Sequence, residues 1–199
     1  MGYLYTSLLV NVISEDTFIY NLAFMSCMKV LTFLEKISED KDFKAWQESH
    51  DTSYLVHVFF NEDEQKKPIW QAGYYNTDDT ITSFSYVDNK LEIIQDESVF
   101  KKDDNKILTL SLEDISIDYD DALETAIAKQ KESYGGHDPV KIISVLQHLQ
   151  TGQVYNFTMI TQTFQTLNVK VHSNTKKIIE HKLYSLMDLG EIQPGEKDK

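Results

Sequence analysis

The chain contains no arginine. All 19 of its basic residues are lysine, set against 32 aspartates and glutamates, for a net charge of −13. Arginine supplies the planar fork that grips phosphates and guanines. Its absence, together with the acidic balance, argues against nucleic acid and against anionic membrane surfaces as partners. Cysteine occurs once, at Cys27, so no internal disulfide can form. It sits in an apolar segment, where a thiol acts as a small buried side chain rather than a nucleophile. Glycine (7) and proline (3) are scarce among 199 residues, which excludes a low-complexity or broadly disordered chain.

Motifs that announce chemistry are missing too. Gly135 and Gly136 form an isolated pair rather than a phosphate loop, and there is no His-Glu-x-x-His, paired cysteine or nucleophile elbow. The six histidines, His50, His57, His137, His148, His172 and His181, include no pair at helical spacing, so zinc has no local support. The acidic run from Asp114 to Glu124 lacks the central glycine and ligand spacing of a calcium loop, and it reads as charge placed at a helix N-terminus. No catalytic residue, metal or cofactor is expected. The apolar stretch Thr17 to Leu34 is interrupted by Asn21, Ser26 and Lys29, which makes a buried helix the better reading than a membrane span. The first residues show no basic n-region and no cleavage site. The expectation is a cytoplasmic protein if Met1 is the native start, and an extracytoplasmic one if a leader has been trimmed.

What the chain does contain is a duplication. A strand-turn-strand pattern from Ile69 to Ile93 recurs from Val154 to Ile179, 85 residues further on. Ile69-Trp70 aligns with Val154-Tyr155, Tyr74-Tyr75 with Met159-Ile160, and Phe84 and Tyr86 with Val169 and Val171. Such self-similarity marks one supersecondary unit used twice.

Around each copy the pattern predicts a helix followed by four strands. Ser14-Glu15-Asp16 reads as a helix start, and Phe18, Leu22, Met25, Leu31, Leu34 and Ile37 carry that helix to about Ser38. Tyr3 to Ile13 reads as a strand or an extra helical turn, and Glu39 to Ser53 as a short helix or a loop. Strands are predicted over Tyr54–Phe60, Pro68–Tyr75, Thr80–Val87 and Leu91–Gln95. Lys101 to Lys106 is the linker. A second helix starts at Asp118, Asp120 and Asp121 and stops at Gly135-Gly136. Strands follow over Val140–Leu149, Val154–Thr161, Leu167–Val171 and Lys177–Leu183.

The segment Ile117 to Ala126 resembles the helix opening of PepSY domains. Val154-Tyr155 through Val169-Lys170-Val171-His172-Ser173-Asn174-Thr175-Lys176-Lys177-Ile178-Ile179 resembles their terminal "tyrosine, valine, aspartate, glycine, lysine, valine" hairpin. Ser173 stands where the family's turn aspartate is usual, and Lys176 where its turn glycine is usual. The resemblance covers about residues 115–185 and, more faintly, 15–96. It implies an α+β chain of two tandem cystatin-like units, each a helix packed on a curled antiparallel sheet of about four strands. The expected layout is residues 1–100, residues 107–190 and a frayed tail at 191–199. The family's proposed inhibitory or peptide-binding roles carry no catalytic residues to transfer.

For function, the leading expectation is a non-catalytic module that binds a peptide or protein, with edge strands open to strand addition. The candidate binding residues are His57, Trp70, Tyr74 and Tyr86. Trp70 and Tyr74 with Phe84 and Tyr86 either line a concave pocket or form core beneath the helix, and strand alternation favours core. His57 falls in mid-strand on the expected face of Leu55 and Phe59, where a hydrogen-bonded core histidine is the common case. The alternative is a small-molecule binder or enzyme using a cone between helix and sheet, with His57, Asp78, Asp79 and Tyr86 inside it. A homo-oligomer formed through the apolar first helix is the third expectation.

Overall fold

Eight strands join in one antiparallel sheet of order β4-β3-β2-β1-β5-β6-β7-β8 in the computed structural model, which describes residues 30–62, 68–98, 106–163 and 165–185. Helices α1 (Val30–Glu39) and α2 (Lys41–Ser49) precede strands β1 (Tyr54–Glu62), β2 (Pro68–Tyr75), β3 (Thr80–Val87) and β4 (Lys90–Ser98). Helix α3 (Tyr119–Ser133) precedes β5 (Pro139–Leu149), β6 (Gly152–Thr161), β7 (Gln165–His172) and β8 (Ile178–Ser185). The architecture is α+β. Each strand of the second set lies close to 85 residues after its counterpart, and β3 and β7 are offset by that spacing at both ends. The two sets meet through β1 and β5, which pair from His57–Gln147 to Phe60–Ser144.

The predicted strands fall where the observed ones do, within a few residues at each end. Tyr3 to Ile13, the helix start at Ser14, Cys27, most of the Thr17–Leu34 stretch, linker residues 101–105 and the tail at 191–199 lie outside the described residues. The helix expected to reach Ser38 ends at Glu39, and the ambiguous stretch after it forms α2. Asp40 caps α2 by accepting from the Asp42 N–H at 2.8 Å. Among the described residues, no helix is long and apolar enough to cross a membrane.

Side-chain alternation gives the sheet two unlike faces. One row of directly paired residues, Ile93-Phe84-Ala72-Val58-Leu146-Tyr155-Val171-Ile178, crosses all eight strands and is wholly apolar. The helices cover this face. Phe43 and Trp46 of α2 meet the Phe84 ring at centroid distances of 5.0 and 4.8 Å, and Phe33 of α1 meets Trp70 at 5.5 Å. Ala122, Leu123 and Ala126 of α3 are buried in the same core, together with Phe157, Met159, Leu167 and Val169. Tyr119, the first residue of α3, stacks on Phe60 at 4.5 Å and also touches Trp70, Tyr155 and Phe157. One ring thus packs against strands from both sets.

The hairpin turns use left-handed backbone. Asp88 and Asn89 at β3–β4 have φ of 47° and 61°, and Lys176 at β7–β8 has φ of 59°. Lys176 therefore occupies a glycine-type conformation at the position where the PepSY pattern has glycine. Its ammonium lies 2.9 Å from Asp121 and 3.6 Å from Glu124 of α3. Ser173, at the usual aspartate position, is buried, and its hydroxyl donates to the Asp114 carbonyl at 2.9 Å.

Candidate binding site

The four sequence-predicted binding residues do not form one surface. Trp70 is 6% exposed and packs against Phe33 and Phe60 on the helix-covered face. Tyr74 lies among Phe43, Trp46 and Phe84, where burial pushes its phenol up to about 12. Tyr86 sits at the edge of the same layer and donates to the Lys36 carbonyl or to Asp40 Oδ2, each 3.1 Å away. Its phenol is likewise raised to about 12, by desolvation first and then by its hydrogen bond to Asp40. Asp78 and Asp79 belong to the β2–β3 turn, where Asp78 accepts from Thr80 Oγ1 at 2.7 Å and Asp79 accepts from Tyr75 Oη. The space between α1, α2 and the sheet is filled by aromatic rings.

His57 lies on the opposite face. The alternation expected to keep it with Leu55 is broken, because the β1–β2 register shifts between these two residues and makes Val56 the extra residue of a bulge. Leu55 consequently packs against the core, while His57 and Phe59 face away from the helices. On that face a second row crosses the sheet: Glu92-Ser85-Gln71-Phe59-Val145-Asn156-Lys170-Glu180. It is polar at both flanks and apolar only at its centre, where β1 meets β5.

A cleft of about 670 Å³ opens at that centre. Its walls are Val56, His57 and Phe59 of β1, Ile81 of β3, and Val145, Gln147, His148 and Leu149 of β5, with Gln150 at the turn. The remaining wall is the connecting segment Lys106-Ile107-Leu108. Polar contacts to both strand sets hold that segment. Tyr54 Oη donates to the Ile107 carbonyl at 3.1 Å, and the Leu110 N–H donates to the Leu55 carbonyl at 2.8 Å. His148 lies 2.8 Å from the Thr109 carbonyl through Nδ1. A carbonyl only accepts, so Nδ1 carries the proton, and Nε2 is the nitrogen left for other partners. Gln153 completes the attachment, donating to the Ser111 carbonyl at 2.9 Å and accepting from the Ser111 N–H.

Glycine shapes the cleft wall. Gly73 pairs with His57 across β1–β2, and the imidazole reclines over it. A methyl group on Gly73 would stand 2.2 Å from His57 Cε1.

Among the described residues, no three side chains of His, Cys, Asp or Glu converge as metal ligands. The described lining of the cleft contains no hydroxyl, thiol or carboxylate side chain. Sequence reasoning missed Val56, Phe59, Ile81, Val145, Gln147 and His148 as cleft residues. Each sits in an ordinary strand pattern, and Phe59 and Val145 meet only through the β1–β5 pairing. Compared with protein-family models, with curated proteins and with solved structures, the chain matches none of them.

Proposed function

We propose that the protein is a non-catalytic binding module that receives an extended segment of a peptide or protein in the β1–β5 cleft. The observation that carries this reading is the second face of the sheet. Its polar rows give way to an apolar cleft at the seam, while the apolar row of the other face lies beneath the helices. Concave, mainly apolar sites with a few placed polar groups are where proteins take ligands. The side chains in the described lining offer hydrogen bonds and apolar contact, with no hydroxyl, thiol or carboxylate among them. The 85-residue offset between strand sets supports a tandem of two cystatin-like, PepSY-like units, and on that reading the cleft is the junction of the two units.

The test is a titration with a library of extended peptides, followed by amide chemical shifts. Perturbations centred on β1, β5 and residues 106–110, lost in Val145→Glu while thermal unfolding is retained, are the expected result. Perturbations confined to the outer strands β4 and β8 would instead establish strand addition at the sheet edges. A small-molecule site is a second reading favoured by the cleft's volume, which lies within the range of about 300–1,000 Å³ common to such sites. Saturable shifts at the same residues with a metabolite set, and none with peptides, would select it.

A further inference from the structure

We infer that strand β8 is a self-association surface, through which two copies of the chain pair antiparallel about a twofold axis at His181. Among the described residues β8 has a strand on one side only, since the sheet order ends with it. An edge of this kind presents a row of N–H and C=O groups that another strand can meet. Ile179, Glu180, His181 and Lys182 are all exposed along it, and α3 packs mainly over β7 and β6.

Symmetry limits the registers. On an edge strand every second residue turns its N–H and C=O outward. Two identical edges that pair antiparallel must therefore set one residue opposite itself. With His181 on the axis, Glu180 faces Lys182 of the second copy, and Ile179 faces Leu183 of the second copy. The symmetry repeats both matches in reverse. Moving the axis by one residue sets Glu180 against Glu180 or Lys182 against Lys182, and like charges directly opposite are destabilising. The run Ile179-Glu180-His181-Lys182-Leu183 is thus a palindrome in chemical type that fits one register.

The surroundings agree with that register. Glu180 pairs with Lys170 across β7–β8, and Lys182 with Asn168, which puts both charges on the face away from the helices. Glu180 already holds the Lys170 ammonium at 2.6 Å. The joint extends this alternation of sign, from Lys170 to Glu180 to Lys182 of the second copy. It also covers Ile179, an exposed apolar side chain. His181, at the axis, lies 2.7 Å through Nδ1 from the hydroxyl of Tyr134, just beyond α3. The β7–β8 register shifts between Ile178 and Glu180, which ends the matched stretch there. The other edge, β4, offers opposite charges two residues apart only at Lys90 and Glu92, at its very start, where little of the strand would overlap.

The experiment is sedimentation velocity on the whole chain over a wide concentration range, and a dimer is expected. Glu180→Lys and Lys182→Glu, at exposed positions, each set like charges face to face, and twofold symmetry applies each change twice. Each variant alone is expected to self-associate at least about tenfold more weakly. Mixed together, the two variants regain opposite charges at both positions and are expected to form a heterodimer. A parent chain that stays monomeric, single variants that dimerise as well as the parent, or a mixture that stays monomeric would each overturn the inference. Growth into open-ended species would overturn it too, by establishing head-to-tail joining of β4 to β8.

Discussion

The imidazole of His57 occupies the space that a side chain at position 73 would need, so Gly73 and His57 behave as one unit across β1 and β2. Gly73→Ala forces ring atoms aside and is expected to destabilise the fold by roughly 1–3 kcal/mol, the usual cost of overpacking. In a His57→Ala background the clash is gone, and alanine is then a better strand residue than glycine. Thermal unfolding of the two single variants and the double variant checks this. A double variant no more stable than the additive sum would refute the coupling.

Tyr119 joins the two strand sets through its ring, and its hydroxyl lies 3.2 Å from Ser144 Oγ. Tyr119→Ala is expected to cost about 3–5 kcal/mol, as for other large aromatic truncations. Tyr119→Phe keeps the ring and loses the hydrogen bond to Ser144, which is worth about 1 kcal/mol. Denaturant unfolding of the pair separates packing from polar contact, and equal losses would contradict the central role given to the ring.

Asp120 stands half-buried near the start of α3, with Oδ1 lacking a hydrogen bond among the described residues. Desolvation first, then Asp118 and Asp121, raise its carboxyl above the ordinary value. The folded chain therefore holds this proton more firmly than the unfolded chain does. Stability from the group is present below the unfolded pKa and is lost as pH rises through the raised one. Asp120→Asn is expected to raise the midpoint at neutral pH by at most about 1 kcal/mol, given partial exposure, or roughly 2–4 °C. The gain should vanish in acid, and a gain that persists there would point to another cause.

The phenols of Tyr74 and Tyr86 are raised from 10.0 to about 12. Here too the folded state keeps the proton, so stability is full below pH 10 and declines as pH climbs toward 12. Absorbance of tyrosinate followed alongside circular dichroism should show these groups ionising late, together with loss of the fold. Complete ionisation near pH 10 with the fold intact would contradict the burial of Tyr74.

The strands were legible because their composition and turns are local. Phe84 and Tyr86 alternating with Ser83 and Ser85 mark β3 with its observed bounds, and the 85-residue repeat marks its counterpart β7. Faces were less legible. Tyr54 to Phe60 is an unbroken run of strand formers, so nothing in it announces the bulge at Val56 that turns His57 away from Leu55. Trp70, Tyr74, Tyr86 and His57 therefore looked like one surface. The cleft was not legible at all, because Phe59 and Val145 share no local pattern and meet only through a pairing between distant strands.

That pairing has a kinetic consequence. Every other ladder in the sheet joins strands consecutive in the chain, whereas the β1–β5 partners are separated by 84 to 90 residues. Closing a loop of that length costs more entropy than closing any hairpin, so the seam is expected to form after the hairpins. The cleft comes into being with it. On the proposed reading, a ligand held there would stabilise the joined seam, and its binding would report that the seam has formed.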